Sequence, residues 1–272
     1  MGEKTTIGWT HATFNPWWGC EKVSPGCTNC YAERDSHRRG WAVWGKEKPR
    51  RFFSDEHWKG PLKWDRAAAK AGERRRVFCA SMADVFEDRP DLVPWRSRLW
   101  HIIEATPNLD WLLLTKRPEN VRAMVRGDWL VKPRPNVWLG TSAEDQERAA
   151  ERIPVLLEIP AQIRFISAEP LLGELDLAPY LQRPGGLDWV ITGGESGPNF
   201  RPLREWWLHK IVQDCQAAKV PVFVKQLGRI VLVGETATVR TASATQAMRL
   251  VDPKGGDPAE WPVELRVREF PA

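Results

Sequence analysis

Short, almost wholly apolar runs recur along this chain, each ending on a small or polar residue. They fall at residues 76–81, 109–115, 136–141, 163–167, 187–192 and 220–225. Runs of Val, Ile, Leu and Phe without alternation are what strands buried on both faces look like. Measured between Ser81, Thr115, Thr141, Ser167 and Gly193, the steps are 34, 26, 26 and 26 residues. A step of that size holds one strand, one helix and two loops, so the rhythm predicts repeated βα units on a parallel sheet. A run at residues 7–13 makes a seventh strand. The expected class is therefore α/β, a parallel (β/α)6-7 TIM-like or partial barrel over residues 1–228. Beyond Gly228 the rhythm stops, and alternating runs at 229–233 and 263–267 predict a small β-rich appendage over residues 229–272.

Helices are expected between the runs. One follows the Thr115 strand over residues 118–125, with Pro118 in its first turn. A second opens at Ser142 as N-cap, with acids in its first turn. A third spans residues 204–218, where Trp207, Ile211 and Cys215 form one stripe for burial. Cys79 and Cys215 read as core residues.

Directly after the first strand, Cys20, Cys27 and Cys30 fall within eleven residues, although the whole chain holds only five cysteines. Thiolates at such short spacing suit zinc or iron–sulfur ligation. Ser24, Pro25 and Gly26 between them are turn residues, with Gly26 suited to a positive φ. Three ligands matter more than the motif itself. A structural zinc site closes on four, whereas three leave one position open for chemistry. His11 or His37 could supply a fourth ligand in the zinc alternative, although His37 also reads as a surface residue. Trp17, Trp18 and Val23 are placed to give a metal centre an apolar cover.

No apolar run approaches the roughly 20 residues that a membrane helix needs, and residues 1–9 lack a signal-peptide core. A cytoplasmic, reducing location is expected, where clustered cysteines serve metals better than disulfides. The net charge of +5 is uneven: residues 38–76 hold thirteen Lys/Arg against five Asp/Glu. Trp41, Trp44, Phe52, Phe53, Trp58 and Trp64 interleave those charges. Basic residues among aromatics suit a nucleic-acid backbone and its stacked bases. The same segment also reads as a connection whose aromatics pack inward while its cations face water.

Chemistry in a parallel barrel gathers at the C-terminal ends of the strands. There this sequence places Ser81 and Asp84, Lys116 and Arg117, Ser142 and Glu144, Glu169, Gly193 to Glu195, and Lys225. Capping alone does not require Glu169 before Pro170, nor two cations at 116 and 117. Gly193 and Gly194 would let backbone approach a ligand closely, but they form no dinucleotide fingerprint.

A three-cysteine loop after the first strand of a βα barrel resembles the radical S-adenosylmethionine (SAM) superfamily. More closely, the chain resembles a phage-associated family of three-Cys-motif proteins, uncharacterised in function and distantly similar to that superfamily. The resemblance rests on residues 19–32, 81–86, 114–118, 136–140, 167–173 and 193–198. It implies a partial barrel of radical SAM type and an iron–sulfur enzyme. Cys20, Cys27 and Cys30 would hold a [4Fe–4S] cluster, with SAM at the open iron. Reductive cleavage of SAM would yield a 5′-deoxyadenosyl radical that takes hydrogen from a substrate, with a nucleic acid or nucleotide as one candidate. By the same resemblance, Ser81 and Asp84 would accept from the methionyl ammonium, and Lys116 or Arg117 would pair with its carboxylate. Ser142 and Glu144 would meet the ribose, and Tyr31 would pack on adenine in place of the aromatic usual at Asn29. Glu169, Glu195 and Lys225 would face the substrate. An electron donor and a protein partner encoded nearby are the implied partners. Zn2+ in a nucleic-acid-binding or partner-binding protein is the alternative.

Overall fold

The structure is a computed structural model and describes residues 5–234 and 246–272. The chain divides into two compact units, Met1–Thr141 with Glu158–Ile163, and Ser142–Leu157 with Arg164–Ala272.

In the first unit, β1 (Ala12–Thr13) leads to β2 (Trp17–Trp18), α1 (Tyr31–Arg38) and β3 (Arg51–Phe52). β3 folds back antiparallel on β2, with Arg51 opposite Trp18. Then α2 (Asp55–Trp58) and α3 (Gly60–Ala71) precede β4 (Arg75–Cys79), and α4 (Val93–Glu104) precedes β5 (Leu109–Thr115). Two short helices, α5 (Val121–Met124) and α6 (Gly127–Val131), lead into β6 (Val137–Ser142). β1, β4, β5 and β6 pair in parallel in that order, bringing Val77, Trp111 and Val137 into register. β5 lies between two neighbours, and Trp111, Leu112 and Leu113 on it are fully buried. Each such side chain contributes about 1.5–3 kcal/mol of burial, so this strand anchors the unit.

In the second unit, α7 (Gln146–Leu157), β7 (Ile163–Ala168), α8 (Ala178–Leu181) and β8 (Trp189–Gly193) are followed by β9 (Leu203–Arg204). The long helix α9 (Glu205–Ala218) then leads to β10 (Val222–Gln226). β7, β8 and β10 pair in parallel in that order. A small separate sheet joins β11 (Val231–Val233) to β9 in parallel and to β12 (Gln246–Ala247) antiparallel. With seven parallel strands and intervening helices, the chain is an α/β protein built of the βα repeats expected from the 26-residue rhythm.

Local differences have local causes. Ser142 does not cap a helix; it ends β6, and α7 begins at Gln146 after Asp145 Oδ1 has accepted the Arg148 N–H at 2.8 Å. Residues 118–120 make a 3-10 turn before α5. The buried stripe of α9 is Leu208, Ile211, Val212 and Cys215, with Trp207 only half-buried. Val263–Leu265 is a 3-10 turn, not a strand. The residues after it add to the edge of β10, where the Val224 N–H donates to Val267 O at 2.9 Å and the Glu269 N–H to Val222 O at 3.0 Å. Part of the expected appendage, residues 235–245, lies outside the described residues. No helix is long and apolar enough to cross a membrane among the described residues.

Candidate functional site

The cysteine loop fills the connection from β2 to α1. Pro25–Cys27 make a 3-10 turn, and the Cys27 N–H donates to Ser24 O at 2.9 Å. The positive φ expected at Gly26 is found instead at Gly19, at 111°. A Cβ there would lie 2.3 Å from Val43 O, so only glycine lets the loop enter against the 43–50 segment. Arg50 holds that segment in place. It is buried, pairs with Glu87 at 2.5 Å, and donates to Val43 O at 3.0 Å and Lys48 O at 2.8 Å.

All three thiols are half-buried. Cys20 and Cys30 rest against one apolar cluster of Trp18, Ala32, Val43, Trp44 and Met82, with Phe53 at its edge. Trp18 thus gives the expected cover; Val23 does not, being 41% exposed. Cys30 sits at the N-terminus of α1. Burial pushes its thiol up, while the N–H groups of Glu33 and Ala32 and the charge of Lys116 favour the thiolate. Burial, and then the charge of Asp84, push the Cys20 thiol up to about 12, against the pull of Arg117.

Arg117 connects this loop to the strand ends. Its Nη1 donates to Asp84 Oδ2 at 3.0 Å and to Cys20 Sγ at 3.6 Å, and its Nη2 to Glu21 O at 2.9 Å. Burial works against the guanidinium charge, but Asp84 and Cys20 outweigh it and raise the pKa above the usual arginine range. Asp84 is buried at the end of β4 and saturated: Oδ1 accepts from the Phe86 N–H and Thr115 hydroxyl, Oδ2 from the Lys116 N–H and Arg117. Ser81 lies beside it. Its Oγ accepts from Asn15 Nδ2 at 3.0 Å, and its carbonyl from the Tyr31 hydroxyl at 2.8 Å. The structure therefore brings Cys20, Cys30, Tyr31, Ser81, Asp84, Lys116 and Arg117 into one neighbourhood of the first unit.

Ser142, Glu144, Glu169, Glu195 and Lys225 belong to the second unit. Glu144 is fully buried and pairs with Arg152 at 3.1 Å, and Arg152 also donates to Ser142 O at 2.9 Å. Glu169 Oε1 lies 2.9 Å from Lys225 Nζ, and the Ser167 hydroxyl donates to Oε2 at 3.4 Å. Glu195 pairs with Arg201 and also accepts its N–H at 2.7 Å. Gly193 and Gly194 serve the backbone here: a Cβ would lie 2.9 Å from Gln226 O on the first and 2.3 Å from Leu227 O on the second. They let the end of β8 approach the end of β10.

Two residues of the site escaped sequence reasoning. Asn15 is fully buried, accepts the Met82 N–H at 2.6 Å, and offers its carbonyl to His57 Nε2 at 2.8 Å. Its position at the mouth of β1, just before Pro16, was the available signal. Thr115 was noticed only as a strand end, yet it bonds Asp84 at 2.7 Å. The fourth ligand of the zinc alternative is not found. His11 Nδ1 accepts the Arg76 N–H at 2.8 Å, and His37 is exposed on α1. Among the described residues, no group of three or more His, Cys, Asp or Glu, the three cysteines included, is placed to hold a metal ion.

The basic segment 38–76 splits in two. Trp44 and Trp58 are buried, and Phe52 stacks on Trp95 with ring centroids 4.6 Å apart. Trp41, in contrast, is 42% exposed, with exposed Arg38 and Arg39 just before it.

The profile of the family described as "Protein of unknown function (DUF5131)" matches residues 4–254. The chain belongs to the DUF5131 family. No curated protein matches this DUF5131 sequence. Solved structures similar to it include two variants of spore photoproduct lyase. One, at 11% identity and a TM-score of 0.47, covers 93% of this chain and 72% of the lyase. The other, with bound AdoMet and dinucleoside spore photoproduct, has 12% identity and a TM-score of 0.44, covering 88% and 71%.

Proposed function

We propose that this protein is a radical SAM-type iron–sulfur enzyme with its cofactor site at the cysteine loop. The observation that carries the proposal is the setting of the three thiols. Two of them share one apolar cover, and against the burial that pushes both thiols up, the Ala32 and Glu33 N–H donors are turned on Cys30 and Arg117 on Cys20. That donor set fits a low-potential cluster better than an inert core, because three sulfurs leave one position without a protein ligand. A [4Fe–4S] cluster on Cys20, Cys27 and Cys30 would supply one-electron reduction of SAM.

The other roles belong to the chain's own side chains. Trp18, Val43, Trp44 and Met82 keep water from the sulfurs. Asp84, with its acceptors filled, holds Arg117 against Cys20 instead of receiving an ammonium group. Lys116 carries an ammonium with no carboxylate partner among the described residues, so we assign it the carboxylate of SAM. Tyr31, 46% exposed with its hydroxyl anchored on Ser81, offers a ring face to the adenine. Ser142 and Glu144 are buried, and Glu144 is held by Arg152, so no ribose contact is assigned to them. Glu169, Glu195 and Lys225 stay as substrate-facing candidates, with the Glu169–Lys225 couple able to pass a proton at Nζ.

The test is anaerobic. The protein is reconstituted with iron and sulfide, reduced and given SAM, and iron and 5′-deoxyadenosine are assayed. About four irons per chain with deoxyadenosine, both lost in Cys27→Ala, is the expected result. One tight zinc and no deoxyadenosine would overturn the proposal.

A further inference from the structure

Trp41 is an unusual surface residue. Its N–H donates to Ser36 O at 2.9 Å, and its carbonyl accepts from the Ser36 hydroxyl at 2.9 Å. The Arg51 guanidinium lies 4.2 Å from its ring centroid. That guanidinium is itself 4.7 Å from the Trp18 ring and 5.0 Å from the Phe53 ring, and no carboxylate pairs with it among the described residues. Arg39 reaches Trp18 as well, at 5.9 Å. A stack of alternating rings and cations thus runs from Trp18, which covers Cys20 and Cys30, out to a rigid tryptophan at the surface. An apolar ring held in place yet left 42% exposed gains nothing from burial on its open part. It is pre-organised for a flat partner, and the cations around it suit that partner's phosphates: Arg39 and Arg51 have no carboxylate partner among the described residues, and Arg38 is exposed, with Asp35 3.9 Å away.

From this geometry we propose that Trp41, Arg51 and the neighbouring Arg38 and Arg39 form a docking platform for single-stranded nucleic acid. A base stacks on Trp41 while the arginines neutralise the adjacent phosphates. Buried aromatics elsewhere in the basic segment build the platform and do not touch the strand. Naming single-stranded nucleic acid as the substrate class rests on the reading of the cysteine loop as a reaction centre; the platform itself does not.

The experiment measures fluorescence anisotropy of labelled single strands of about 12 nucleotides, DNA and RNA, on the reconstituted protein at low and moderate salt. Binding should weaken with salt, and Trp41→Ala should weaken it by about 5- to 100-fold. Trp41→Phe should keep most of the affinity. Arg38→Glu with Arg39→Glu should flatten the salt dependence by more than one phosphate contact. Absence of strand binding at low salt would overturn the platform, as would equal affinity in all these variants. Iron and deoxyadenosine are assayed on the same samples. Trp41-dependent binding without iron would sink the enzyme proposal and keep the platform, and iron with deoxyadenosine but no such binding would do the reverse.

Discussion

Arg117 and Asp84, 33 residues apart in sequence, form a buried ion pair at 3.0 Å, and the same Arg117 nitrogen reaches Cys20. The pair makes the position of the cysteine loop depend on the ends of two strands, β4 and β5. Removing one partner of a buried, hydrogen-bonded pair leaves the other charge unmatched, a loss of about 3–5 kcal/mol. Asp84→Ala should therefore lower unfolding free energy by about that amount in urea titrations. Asp84→Ala with Arg117→Met should recover much of it. A loss additive across both sites would remove the coupling claimed here.

Gly19→Ala should disturb the loop from the other side. Its backbone at φ 111° and the 2.3 Å approach to Val43 O leave no room for a methyl group. A loss of about 3 kcal/mol or more is expected, because strain and a backbone clash act together. Thermal unfolding checks it, and a shift within error of wild type would contradict the geometry.

Glu144 and Arg152 make a further buried pair, their side chains 0% and 4% exposed. Glu144→Gln keeps a hydrogen-bond acceptor and should lose less stability than Glu144→Ala, for which about 3–5 kcal/mol is expected. Equal small effects of both substitutions, measured by urea unfolding, would show that the pair does not hold the start of the second unit.

His57 lies stacked between Phe14 and Phe53, with ring centroids at 4.8 and 4.4 Å. Burial lowers its pKa below 6.5, opposed by the hydrogen bond to Asn15 and assisted by the charges of Arg51 and Arg98. The unfolded chain then binds more protons than the folded one below about pH 6.5. The stability this histidine gives is full above that pH and falls as the pH drops through the folded value. In His57→Gln the fall in unfolding free energy between pH 7.5 and 5.5 should be smaller than in wild type. Parallel pH profiles would refute the assignment.

The strand series and the cysteine loop were legible in the linear sequence because each depends on local order. A strand buried on both faces must be continuously apolar, so residues 109–115 and 163–167 announced themselves, and the spacing of Cys20, Cys27 and Cys30 is itself a local fact. Helix starts were less legible, as Ser142 shows: a residue with capping chemistry was taken into a strand by its neighbours. Partnerships across the fold were not legible at all. Asp84 reads as an open acceptor until Thr115, Lys116 and Arg117 arrive to fill it, and Arg50 reads as one more surface cation until Glu87 meets it in the interior. The chain order by itself determined the α/β class, the number of parallel strands and where the thiols sit. Which charges are buried, paired and turned on the sulfurs was decided only by tertiary structure, since desolvation and pairing depend on groups brought close by folding from positions far apart in the chain.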